Sequence, residues 1–188
     1  MIHSSPTLVI GGSVRAQRIC LQIAEWVAEV GREAGGGVFE VVDLREWPLP
    51  MDDEPGIPAA GRYTQAHTLA WSRKVAGAGA FVFVTPQYNW GYPAALKNAL
   101  DHLYKEWGGK PAMIVTYGGH GGGRCAEQLR QVLEGLRMRP VATMPGFKLT
   151  RERIEANDGR VDPAQAFAGD LPMLRQAFGE LAATRAQG

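Results

Sequence analysis

A three-layer α/β fold, a parallel β-sheet covered by helices on both faces, is what this sequence predicts. Apolar runs of strand length alternate with segments of helical periodicity along the chain. Glycine clusters close two of the runs. One run, Ala80-Phe81-Val82-Phe83-Val84-Thr85, is apolar without alternation, as expected of a strand buried on both faces. Right-handed crossovers between such strands lay each helix on the sheet.

The first strand is Thr7-Leu8-Val9-Ile10, ended by Gly11-Gly12-Ser13. Ile19, Ile23, Trp26, Val27 and Val30 then recur at helical spacing up to Gly31. Val38 to Asp43 reads as the second strand. From Trp47 to Pro58 four prolines and three consecutive acids predict an irregular surface loop, of a length that is often functional. A helical pattern resumes from about Arg62 to Val75 and leads into the third strand, Ala80 to Thr85. Pro86 to Pro93 breaks the pattern; Leu96, Leu100 and Leu103 mark a helix, and Ala112 to Tyr117 is the fourth strand, followed by glycines from Gly118 to Gly123. Leu129, Val132, Leu133 and Leu136 face one way on the next helix. Pro140-Val141-Ala142-Thr143-Met144 is the weaker fifth strand, Thr150 to Gly159 is charged and irregular, and a last helix runs from Pro163 to near Ala183.

At 188 residues and 45% hydrophobic composition the chain fills one ordinary domain, residues 1–188. A net charge of +1, without an extended run of either sign, points to neither a nucleic-acid nor a membrane partner. Cys20 and Cys125 stand far apart inside amphipathic helices and lack the spacing of a zinc site or a redox dithiol, so they read as buried core thiols. Met1 to Pro6 carries no charged lead into an apolar stretch, and no run of about 18 apolar residues occurs, which reads as a soluble cytoplasmic protein.

In a sheet of order 2-1-3-4-5, ligands bind beyond the carboxyl ends of the strands where the order reverses, between strands one and three. Gly11 to Arg18 offers backbone amides, a hydroxyl and two guanidinium groups at the start of a helix, the composition of an anion site. It is neither a P-loop nor a GxGxxG turn, and a tight turn with a Ser N-cap and solvent-facing arginines is the plain alternative. Pro86-Gln87-Tyr88-Asn89-Trp90-Gly91-Tyr92-Pro93 supplies the aromatic faces and amide donors that a planar heterocycle with polar edges requires. The alternative is that Tyr88, Trp90 and Tyr92 cap the core or pack between subunits. Five glycines between Gly118 and Gly123 let backbone approach a ligand closely, or form a loose loop. No GxSxG elbow, HExxH or paired His/Cys spacing is present, and His120 is either a general acid or an exposed loop residue.

With these residues the sequence resembles the NADPH-dependent FMN reductase family, a flavodoxin-like group that includes quinone and azo-dye reductases. The similarity spans about Thr7 to Gly146. Gly12-Ser13-Val14-Arg15 resembles its phosphate loop, Pro86-Gln87-Tyr88-Asn89 with Pro93 to Asp101 its ring loop and following helix, and Tyr117-Gly118-Gly119 its third loop. The resemblance implies a flavodoxin-like three-layer sandwich with a five-stranded parallel sheet. It implies that Ser13, Arg15 and Arg18 hold the FMN phosphate, that Pro86, Gln87, Tyr88, Asn89 and Trp90 line the isoalloxazine, and that Tyr117, Gly118 and Gly119 contact its polar edge. Gln87 stands where the family commonly has Glu, which bears on acceptor choice or oligomer contacts; Lys97, Asn98 and Asp101 match positions that serve packing and subunit contact.

The implied activity is an NAD(P)H oxidoreductase. FMN carries the hydride chemistry without a catalytic side chain, NADPH or NADH is the donor, and a quinone, azo compound, free flavin or metal oxyanion takes the electrons in a ping-pong cycle. Tyr88, Trp90, Tyr92 and the Trp47 to Pro58 loop would shape the substrate pocket, in a homodimer or homotetramer. The competing expectations are a flavodoxin-like electron carrier and a scaffold domain that has lost FMN.

Overall fold

Alternating side-chain direction along the strands divides the apolar side chains between two cores, one on either side of a parallel sheet. The computed structural model describes residues 5–51 and 53–187. Met1 to Ser4, and with them most of the segment on which the leaderless reading rested, lie outside the described residues, as does Asp52 in the proline-rich loop. The strands are β1 (Thr7–Gly11), β2 (Phe39–Asp43), β3 (Ala80–Pro86), β4 (Pro111–Gly118), β5 (Arg139–Pro140) and β6 (Gly146–Lys148). The helices are α1 (Cys20–Gly35), α2 (Ala66–Ala76), α3 (Ala94–Asp101), α4 (Gly123–Gly135), α5 (Arg151–Ala156), α6 (Pro163–Ala166) and α7 (Leu171–Ala186).

The strand order is β2-β1-β3-β4-β5, every pairing is parallel, and β6 also pairs with β4. The expected order 2-1-3-4-5 is therefore present, with β1 between β2 and β3. Leu8, Ile10, Phe81, Phe83, Ala112 and Ile114 point into one core with Trp71 and Val75 of α2, Leu96 and Leu100 of α3, and Leu129 and Leu133 of α4. Val9, Val82, Val84, Met113 and Val115 point into the other, with Ile23 and Val27 of α1 and Leu174 and Phe178 of α7. A period of two on a strand covered on both sides produces an unbroken apolar run. The first core is dense in aromatics: Trp107 lies 5.0 Å from Phe81 and 6.2 Å from Trp71, ring centre to ring centre. On the other side, a Cβ at Gly31 would fall 2.5 Å from the Phe39 ring, so only glycine lets α1 lie this close to β2.

Three elements differ from the sequence expectation. The predicted strand Pro140 to Met144 is split: only Pro140 lies in β5, the chain leaves the ladder after Val141, whose N–H still donates to the Ala112 carbonyl at 2.9 Å, and it rejoins at Gly146. Pro140 and Pro145 have no N–H to donate, so each interrupts the pairing while its carbonyl remains usable; Thr116 N–H donates to the Pro145 carbonyl at 2.9 Å. The segment predicted as irregular, Thr150 to Gly159, contains α5, whose N-terminus the Thr150 hydroxyl caps by accepting from the Arg153 N–H at 3.3 Å. The last helix is two, α6 and α7, separated by a 3₁₀ turn at Ala168–Asp170; Pro172 lies in the first turn of α7, where its missing N–H costs nothing.

Cys20 and Cys125 are both buried and unbridged. Among the described residues no helix is long and apolar enough to cross a membrane.

Candidate functional site

The loops that leave β1, β3 and β4 at their carboxyl ends converge on a cleft of about 240 Å³. The first loop begins by extending the ladder, Gly12 N–H donating to the Val84 carbonyl at 2.9 Å. Ser13 follows, buried, with its hydroxyl 2.9 Å from the Tyr88 phenol oxygen. Arg15 lays its guanidinium 3.7 Å from the centre of the Tyr88 ring, a cation–π contact that orients the charge at the cleft wall. Arg18 pairs with Asp43 at the end of β2 and donates to the Arg15 carbonyl at 3.2 Å, while its Nε is buried and has no partner. Beyond this loop α1 starts at Cys20 with no side-chain cap. Its first-turn N–H groups and dipole thus add to the positive character of this end of the cleft.

The second loop turns in two residues. Tyr88 and Gly91 exchange backbone hydrogen bonds of 2.8 and 2.9 Å around Asn89 and Trp90, whose φ angles are 48° and 71°. Positive φ at both central positions is the geometry of a tight hairpin turn. For an aromatic residue it costs on the order of 1–3 kcal/mol, and such strain concentrates at ligand sites. Trp90 is 60% exposed, and Arg124 stacks 3.9 Å from its ring centre. Gln87 joins the loops: its N–H donates to the Tyr117 carbonyl at 3.0 Å, and its Oε1 accepts from the Cys125 N–H in the first turn of α4 at 3.1 Å. The neutral amide thus does structural work that a glutamate carboxylate could also do.

The third loop is packed rather than loose. Gly122 has φ of +85°, and a Cβ there would lie 2.7 Å from Thr116 Cβ. The Thr116 hydroxyl donates to the Gly121 carbonyl at 2.8 Å, and Gly121 N–H donates to the Gly118 carbonyl at 3.0 Å. Burial, followed by the neighbouring Cys20, pushes the Tyr117 phenol well above its ordinary range, and burial likewise pushes the Cys20 thiol up. Both are therefore neutral at physiological pH. His120 is exposed and does not line the cleft.

Of the residues expected from sequence, Arg15, Arg18, Pro86, Gln87 and Tyr88 line the cleft, as do Tyr117, Gly118 and Gly119. Ser13 sits behind the wall through its contact with Tyr88, and Asn89 and Trp90 form the turn outside it. The Trp47 to Pro58 loop and Tyr92 do not line this cleft, contrary to expectation: Trp47, Leu49 and Tyr92 pack against the first core, and the loop crosses α3 instead. The sequence reading missed the fourth wall, which comes from Arg153, Ile154, Asn157 and Asp158 on and after α5. This segment reaches over α1: Gln22 donates to the Gly159 carbonyl at 3.0 Å and accepts from the Val161 N–H at 3.1 Å. Thr150 ahead of a short charged run is a cap signal, but six residues are too few for a helical period to show.

Residues 6–147 match the family described as NADPH-dependent FMN reductase. The chain is 58% identical over 175 residues to an NAD(P)H-dependent FMN reductase of Schizosaccharomyces pombe, covering 92% of this chain and 86% of that protein. It is 32% identical over 128 residues to an NADPH:quinone oxidoreductase of Arabidopsis thaliana, covering 65% of this chain and 63% of that one. Among solved structures, a flavoenzyme NAD(P)H:(acceptor) oxidoreductase from Paracoccus denitrificans superimposes with a TM-score of 0.70 at 20% identity, over 96% of this chain and 99% of that chain. At that identity the likeness concerns the fold.

Proposed function

Because this chain belongs to the NADPH-dependent FMN reductase family, and is thereby an oxidoreductase that works with FMN and NAD(P)H, we propose that the cleft described above holds its FMN. The observation that carries this reading is Arg18: a guanidinium nitrogen buried without a partner, beside an uncapped helix start, is a donor set that fits a phosphate dianion. Ser13, Arg15 and Arg18 would hold the phosphate. Pro86, Gln87 and Tyr88 would line the isoalloxazine, with Asn89 and Trp90 in the turn at its rim, and Tyr117, Gly118 and Gly119 would meet its polar edge. Part of the Arg18 charge is already neutralised by Asp43, so Arg15 carries more of the phosphate contact than the sequence suggests.

FMN, when bound, supplies the acceptance of hydride from the nicotinamide and its later release as electrons. The chain supplies position and a fixed field. Tyr88 is held by Ser13 and Arg15 at once, Gln87 locks the ring loop to α4, and the neutral Tyr117 and Cys20 offer no competing charge. The acceptor is a small molecule of the quinone, azo or free-flavin class, and the two substrates use the cleft in turn. The chain acts as one FMN-binding domain over residues 1–188, in a cytoplasmic homodimer or homotetramer in which the exposed Trp90 helps to shape the acceptor side.

Purified protein is loaded with FMN, freed of excess and scanned in the visible, after which NADPH and NADH oxidation are followed with a quinone over a grid of both concentrations. A retained flavin band, bleaching by a nucleotide and parallel double-reciprocal lines are expected. Retained FMN that neither nucleotide reduces would instead indicate an electron carrier. A protein that keeps no flavin would remove the site assignment.

A further inference from the structure

The proline-rich loop that fails to reach the flavin cleft ends on a different constellation. Asp53 in that loop, His67 on α2 and His102 immediately after α3 each offer one metal-ligating atom, and these atoms lie within 4.8 Å of one another. Asp53 Oδ1 is 3.0 Å from His67 Nε2, and the two imidazole rings stand 5.9 Å apart, edge to face. An ordinary ion pair accounts for Asp53 and His67 alone, but not for a second imidazole brought to the same place from another helix.

We propose that Asp53, His67 and His102 bind a zinc-class divalent cation that clips the Trp47 to Pro58 segment to α2 and α3. Two imidazole nitrogens and a carboxylate oxygen are a donor set for zinc and its borderline neighbours, whereas magnesium and calcium take oxygen ligands. Three protein ligands leave a fourth position for water.

The ligands are oriented in advance. His102 is buried, its Nε2 donates to the Pro50 carbonyl at 2.7 Å, and its Nδ1 lies 3.2 Å from the Thr68 hydroxyl. With Nε2 protonated, Nδ1 is the nitrogen that coordinates, exchanging the Thr68 hydroxyl for the metal, while the Nε2 bond to Pro50 stays in place as the outer support that metal-bound imidazoles generally have. The backbone on either side of Asp53 is pinned as well. Asn98 donates to the Leu49 carbonyl at 2.8 Å, and Glu54 accepts from the Thr64 and Gln65 N–H groups at 2.8 and 3.0 Å. A cleft of about 430 Å³, lined by His102, Asn98 and Glu54, opens on the His102 side of the cluster.

Metal-stripped full-length protein is titrated with zinc chloride in a calorimeter, with flavin content recorded in parallel. One equivalent should bind, at least about ten-fold more weakly in His67→Gln and Asp53→Asn. Both residues lie near the surface, so the variants are expected to fold where a His102 substitution would not. X-ray absorption at the zinc edge should show nitrogen and oxygen neighbours with imidazole scattering. Absence of stoichiometric uptake, an affinity indifferent to both substitutions, or sulfur among the neighbours would overturn the proposal. Flavin retention is independent of this outcome, so failure here is distinguishable from failure of the flavin assignment.

Discussion

Arg18 and Arg15 differ in what each is tied to, although the sequence presents them as equivalent cations three residues apart. Arg18 is paired with Asp43, and both side chains are only about a tenth exposed, 11% and 10%. Arg18→Ala should therefore lose about 3 kcal/mol of stability in denaturant titration, because it leaves a largely buried carboxylate alone. Arg15→Ala removes a stacked, solvent-facing guanidinium; it should change stability by less than about 1 kcal/mol while weakening FMN binding, measured by flavin fluorescence. Trp90→Gly should release strain of about 1 kcal/mol or more and forfeit the smaller Arg124 stacking, so the midpoint of thermal unfolding holds or rises. The residue types of the site were legible in the sequence, since amides, hydroxyls, guanidiniums and aromatics at strand ends announce ligand chemistry. Their partners were not: nothing local in Gln87 reveals that it caps α4, a contact between residues 38 positions apart.

Short elements fared worse than long ones, for reasons visible in β5, β6 and α5. Two strands of two and three residues separated by prolines carry too little alternation to be located, and α5 has only six residues. The Trp47 to Pro58 loop was recognised, but its placement over α3 depends on hydrogen bonds to distant side chains such as Asn98. Glu54 anchors this loop. Desolvation works against its charged form, but donation from Thr64 and Gln65 outweighs that and holds its carboxyl at about 2 rather than 4.5. Because the folded value is the lower one, its contribution to stability is complete above about pH 4.5 and is lost as pH falls through about 2. Glu54→Gln should lower stability near neutrality and flatten the profile in that acid window, so that variant and parent converge as the pH falls through about 2, as read by denaturant unfolding at a series of pH values.

For the molecule as a whole, the architecture followed from the apolar runs because a strand buried on both faces cannot hide its composition. The same double burial makes β3 sensitive to substitution. Phe81 is fully buried and touches Phe83 and Trp107, so Phe81→Ala should cost about 3–5 kcal/mol in equilibrium unfolding. The cleft was legible to the extent that it is built from strand ends, which the topology fixes, and illegible where α5 and the residues after it close it from the far side of the chain.

The clasp between Gln22 and Gly159 joins residues 137 positions apart. Closing a loop of that size is entropically slow compared with forming any helix or neighbouring strand pair. The end of the cleft nearest α1 is thus completed late in folding, and on the proposed site flavin capture would report a finished protein rather than a collapsed one. In refolding experiments with FMN present, quenching of flavin fluorescence should lag behind the recovery of far-ultraviolet circular dichroism. A newly made chain would then acquire its colour only after the segment beyond β6 has docked.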